Sequence, residues 1–237
     1  MEKNKNSKPF PEPYRFLFPV GLLAAICGVS LWVFYRFQLV DFYPLNAHAN
    51  LIFFGFFGSF VSGFLMTAVP KMTGTSRASI IETGFVTILP MLQIFLAFGN
   101  FVQAQIFVYL LQIIFLLRFL GSRLVVHKKI PFEGFYFMPF AFIWALLSFY
   151  LYQTKRISLT HFYTFAGEAF LMNLICGLGS RLIPVVARLP GALLPSTNSS
   201  GPRLKYLIFS VVLNLVFVGY LFDYQVESNM VFAIYLF

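Results

Sequence analysis

The stretch LNAHANLIFFGFFGSFVSGFLMTAVP, Leu45 to Pro70, decides the fold. It is apolar over a length that crosses a bilayer as a helix, and it carries one histidine, His48, near its start. Helical spacing puts Gly55 on the face of His48 two turns later, followed by Ser59, Ser62 and Met66. Gly55, Ser59 and Gly63 also form a row of small residues at four-residue spacing. Two readings follow. In one, the imidazole heads a groove of small side chains and ligates a metal or haem, with room below it for a flat group. In the other, the small residues pack against a neighbouring helix and the histidine stays near the headgroups. Spacing alone leaves both open.

The composition extends the membrane reading to the whole chain. Of 237 residues, 59% are hydrophobic and 11% charged, and the mean hydropathy is +0.80. A soluble domain carries about a quarter charged residues. The apolar residues fall in blocks long enough for helices rather than in the short alternating segments of a barrel. In lipid, only helices and closed barrels satisfy every backbone polar group. The fold class is therefore all-α, a polytopic transmembrane helical bundle with the lipid bilayer as its partner. The net charge of +9 is not a nucleic-acid footprint, because basic residues of membrane proteins collect in cytoplasmic loops. Cys27 and Cys176 fall inside spans without CxxC spacing, which reads as small buried residues.

In chain order, residues 1–15 form a polar, Pro-rich cytoplasmic tail, and residues 16–237 a single transmembrane domain. Seven full spans are expected at about 16–35, 45–69, 79–98, 104–126, 134–153, 161–186 and 204–222, by length and hydropathy. Pro70 and the loop KMTGTSR are expected to end the second. The Pro-, Gly- and Ser-rich stretch 188–203 reads as the one sizeable loop. No cleavable signal pattern precedes the first span, which reads as an uncleaved anchor. The closing MVFAIYLF reads as the start of an eighth span, too short to cross, so the sequence is expected to continue beyond it.

Of the 17 Lys and Arg residues, all but Arg36, Lys155 and Arg156 fall on one side of this topology. That side is then cytoplasmic, and the N-terminus with it. His48 and His161 both lie near the outer ends of their spans, at similar depth, and form a candidate pair. His127 lies on the cytoplasmic side between basic residues and is set aside. From His161, helical spacing places Phe165, Glu168, Met172, Ile175 and Gly179 on one face. A carboxylate inside a span is costly, so Glu168 reads as a relay group, a metal neighbour or a hydrogen-bonding tie between helices. Arg181 either snorkels to the headgroups or pairs with an acid or a haem propionate. The Phe run from Phe53 to Phe60 suits packing and the wall of a haem pocket equally.

Three pieces of the sequence resemble the NnrS family of bacterial inner-membrane proteins. They are PYRFLFPVGLL ending at Leu23, HANLIFFGFFGSFVSGFLMTAVPKMTG from His48 to Gly74, and GSRLIP from Gly179 to Pro184. The middle piece is the most specific. His48 matches the first histidine of the family's His-Ala-His opening, and Asn50 stands where the second would be. The resemblance spans most of this chain and the first two thirds of a typical family member. It implies a haem- and copper-containing protein of the nitric oxide and nitrosative-stress response, in the bacterial inner membrane. It implies His48 as an axial ligand, His161 as a second ligand to haem or copper, and Gly55 and Ser59 as the space beside them. The same stretch is similar to the second span of haem-copper oxidase subunit I, although the seventh span here has no histidine pair. Two other classes stay in view, an electron-transfer haem subunit and a small-molecule transporter. The transporter would show interrupted spans in matching positions of two repeats.

Overall fold

The structure is a computed structural model that describes residues 11–127, 132–188 and 200–222. Every regular element among them is helical, and seven are long and apolar enough to cross a membrane. The protein is a multi-pass helical membrane protein, as the composition requires. The eighth-span expectation and residues 189–199 of the expected 188–203 loop fall outside the described residues, while residues 200–203 of that stretch are helical, so the last helix starts at Ser200 rather than at 204.

The chain divides into two compact units, Met1–Lys128 and Lys129–Phe237. The first holds α1 (Tyr14–Arg36), α2, α3 (Ile80–Phe98) and α4 (Val102–His127). Helix α2 has three parts: α-helix over Leu45–Asn50, π-helix over Leu51–Phe57 and α-helix again over Gly58–Thr73. The second unit holds α5 (Met138–Gln153), entered through a 3-10 turn at Glu133–Phe137, then α6 and α7 (Ser200–Leu221). Helix α6 repeats the pattern of α2, with α-helix over Leu159–Tyr163, π-helix over Thr164–Ala169 and α-helix over Phe170–Val186.

The end of the second span differs from expectation. Helix α2 runs through Pro70 to Thr73, because a proline clashes with the turn before it and not with the residues after. The helix stops at Gly74, whose φ of 64° is the left-handed conformation that glycine adopts without penalty. Helix α3 likewise continues through Pro90. Its start is fixed by a capping box. The Ser79 hydroxyl accepts from the Glu82 amide at 3.1 Å, and the Glu82 carboxylate accepts from the Ser79 amide at 2.7 Å. Ahead of α1, Glu12 pairs with Lys71 at 2.6 Å. The Lys71 hydrogen bond holds the Glu12 carboxyl below its usual range.

In the first unit, α1 and α2 approach almost backbone to backbone. The buried stripe of α1 is Leu17, Gly21, Ala24, Gly28 and Leu31. A methyl group on Gly21 would lie 2.9 Å from the Ser59 Cβ, and one on Gly55 would lie 2.9 Å from the Ala24 Cβ. Small residues on both helices permit this approach, which in lipid replaces the missing hydrophobic drive with close van der Waals contact. Buried amides tie the other helices together. Asn50 donates to Gln105 at 3.0 Å, and Gln93 and Gln105 each donate to the other's main-chain oxygen, at 2.9 and 3.2 Å. Deeper in the bundle, Gln112 donates to Ser62 at 2.9 Å over Gly58, which has no side chain to block it.

The second unit uses the same means. Trp144 donates to Asn214 at 2.6 Å, and Asn173 and Asn214 exchange amide hydrogen bonds at 2.9 and 3.1 Å. Gly134 and Gly177 face each other, and a methyl on Gly177 would lie 2.6 Å from the Gly134 carbonyl oxygen.

Candidate functional site

His48 sits in the short α-helical opening of α2, three residues before the π-helix begins. Its Nδ1 is 2.9 Å from the main-chain oxygen of Gly28 on α1. A carbonyl oxygen only accepts, so Nδ1 carries the proton and Nε2 keeps its lone pair. A Cβ on Gly28 would stand 3.2 Å from the Leu51 Cβ and in ordinary contact with Nδ1 at 3.7 Å, so the glycine chiefly lets α1 and α2 pack closely beside the ring. The indole of Trp32 meets the ring edge-on at 5.8 Å, and Tyr43 packs on Trp32 at 5.4 Å. Among the described residues, Nε2 has no hydrogen-bond partner. A neutral imidazole held at Nδ1 by a carbonyl and open at Nε2 has the outer-shell arrangement of a metal-ligating histidine.

His161 occupies the corresponding place in the second unit. It too lies in a short α-helical opening three residues before a π-helix. Ser158 caps this opening by accepting from the His161 amide at 3.3 Å, and its hydroxyl is also 2.8 Å from the His161 Nδ1. Tyr220 packs on the ring at 5.8 Å, and Phe165 connects it to Trp144, with the latter two stacked at 5.0 Å. In both units, therefore, Nδ1 is engaged by a neighbouring oxygen, and a Trp of the preceding helix stands in the aromatic cluster beside the ring. The two histidines belong to separate units.

The remaining expected residues fall elsewhere. Gly55 and Ser59 form the contact face with α1, so the space they leave is filled by Ala24 and Gly21 rather than by a flat group. Ser59 also turns its hydroxyl back on the Gly55 carbonyl at 2.6 Å. Asn50 is fully buried and holds α2 to α4 through Gln105, which makes it a helix tie with its Oδ1 left unpaired. The single face expected below His161 is split by the π-helix. Phe165 is buried, whereas Glu168 lies on the exposed side with Met172 and Ile175. Each π turn carries an added residue that shifts the helix register, and a 3.6-residue count does not anticipate it. Arg181 lies in α6, and its side chain is outside the described set. Among the described residues, no three His, Cys, Asp or Glu side chains gather as a metal cluster, and neither Cys27 nor Cys176 forms a disulfide.

Sequence reading missed Gly28 and Trp32, the two α1 residues that hold His48. The visible signal was the small-residue stripe Gly21, Ala24 and Gly28, which complements the Gly55, Ser59 and Gly63 row. It also passed over Gln93, Gln105 and Gln112, although amides inside apolar spans usually mark helix contacts.

No curated protein and no solved structure matches the chain. A family model described as NnrS protein matches residues 9–237, the same span that carries both histidine-bearing helices. The chain belongs to the NnrS family.

Proposed function

We propose that this protein binds haem through the Nε2 of His48 and serves the nitric oxide and nitrosative-stress response in a bacterial inner membrane, with its N-terminus cytoplasmic. The observation that carries the reading is the His48–Gly28 hydrogen bond, which fixes the tautomer a metal ligand needs and leaves the ligating nitrogen unpartnered. Bound haem would supply an iron that takes small diatomic ligands such as nitric oxide. His48 orients toward it, Gly28 raises the basicity of the ring, and Trp32 keeps water from one edge. His161, held at Nδ1 by Ser158, is the second ligand in this reading, to haem or to copper. Gly55 and Ser59 have no part in it, because α1 occupies their face.

The test is an absorption spectrum of detergent-purified protein, oxidised and then reduced with dithionite, with iron and copper measured on the same sample. The reading expects a Soret band that sharpens and moves on reduction, with about one haem per chain. A folded, colourless and metal-free preparation of the full chain contradicts it. A second reading draws on the matched π-helical interruptions of α2 and α6, which occupy corresponding places in two units, as in small-molecule transporters. It expects that colourless preparation.

A further inference from the structure

A cleft of about 470 Å³ opens between α3 and α4. Its walls are aromatic, with Phe85 and Phe115 in ring contact at 5.1 Å and Phe119 beside them. Its polar edge is Glu82, Arg118 and Arg123. Arg123 is 8% exposed and already committed. It donates to both Glu82 oxygens at 3.0 and 3.1 Å and to the Phe119 carbonyl oxygen, and its guanidinium lies 3.6 Å over the Phe119 ring. Glu82 thus neutralises Arg123, and Arg118 is left over. Arg118 is exposed, and no described residue hydrogen-bonds or pairs with it.

The position of Arg118 gives that surplus charge its meaning. It lies five residues before Arg123 on α4, about 7 Å further into the span at 1.5 Å per residue. A guanidinium on the outer face of a span needs an anion or water brought to it. The cleft is at the end of the unit that also carries Arg15, Lys71 and Arg77, whereas the opposite end carries Arg36. By the positive-inside rule that basic end faces the cytoplasmic leaflet, where anionic lipids concentrate and where basic pockets between helices take their headgroups. We infer that this cleft is a binding site for an anionic phospholipid, with Arg118 holding the phosphate and Phe85 and Phe115 lining the acyl chains.

The experiment uses the full chain in detergent with phosphatidylglycerol, phosphatidylethanolamine of the same acyl chains, or inorganic phosphate added. Phosphatidylglycerol is expected to raise Tm by about 5 °C or more, and the other two to do little. Native mass spectrometry is expected to show phosphatidylglycerol retained by the wild type and lost from Arg118→Gln. The Tm of that variant without lipid should be unchanged, since its side chain has no partner to lose. Phe85→Ala, which shortens the acyl wall, should also reduce retention. An equal response to phosphatidylethanolamine, a phosphate effect as large as the lipid's, or undiminished phosphatidylglycerol retention in either variant overturns the assignment.

Discussion

The Nδ1 of His48 hydrogen-bonds the carbonyl oxygen of Gly28 at 2.9 Å, so the orientation of the one histidine in α2 depends on how closely α1 approaches. Under the proposed ligand reading, Gly28 on that seam therefore bears on the site as well as on the packing. Removing space at Gly28 and removing the imidazole at His48 act on the same feature.

Filling the α1–α2 seam should destabilise the first unit. Gly21→Ala and Gly55→Ala each put a methyl 2.9 Å from a neighbouring Cβ, and overpacking of this kind costs about 1–3 kcal/mol. Gly84→Ala meets nothing within 4 Å and should be neutral or stabilising by up to about 1 kcal/mol, because alanine is the better helix former. Thermal unfolding of the three variants in one detergent checks this. Equal behaviour at all three positions would argue against the seam.

The π-helices should tolerate a deletion that the flanking helices do not. A π turn holds one residue more than the α-helix on either side needs. Deleting Ile52 within Leu51–Phe57 should convert it to α-helix and leave both flanks in register. Deleting Val61 within Gly58–Thr73 turns everything beyond it by about 100°, moving Gly63 and Met66 off their buried faces. We expect folded protein from the first deletion and little or none from the second, judged by monodisperse elution in detergent.

Much of the fold was legible in the sequence, and the reasons separate cleanly. Apolar block length gave the spans, since the bilayer sets a minimum length that no soluble helix must meet. The capping box of Ser79 and Glu82 went unread, although its spacing is local and visible. The π-helices of α2 and α6 were not legible, because an inserted residue leaves the local hydrophobicity unchanged while it moves every later side chain. The Phe165–Glu168 face failed for that reason. Asn50 illustrates a second limit. Its partner Gln105 is 55 positions away, and no local pattern joins them. Gly55 and Ser59 show a third, since a row of small residues predicts close approach without saying whether a helix or a cofactor makes it.

The buried amides should differ sharply in what they contribute. Asn50→Leu strands the Gln105 side-chain oxygen in a buried site and should cost about 1–2 kcal/mol. Gln112 makes one side-chain hydrogen bond, to Ser62, and leaves its own Oε1 unpaired. Gln112→Met removes that unpaired atom with little change of shape, and should shift stability by less than about 1 kcal/mol. Denaturation midpoints of the two variants in parallel decide the point.

Glu82 serves two neighbours at once, the Ser79 amide and Arg123. Glu82→Ala removes the carboxylate half of the capping box and leaves Arg123, 8% exposed, without its counter-charge. The loss should reach about 2–4 kcal/mol. Glu82→Ala combined with Arg123→Met should recover part of it, because the stranded charge goes too. A double variant no more stable than Glu82→Ala would show that the pairing contributes little.

The most direct test of the central claim is the haem content of His48→Ala beside wild type, each quantified per chain and each shown by circular dichroism to be folded. Ligation through Nε2 predicts a wild-type Soret band that is lost or reduced severalfold in the variant, with helicity unchanged. Full haem content in folded His48→Ala would contradict it.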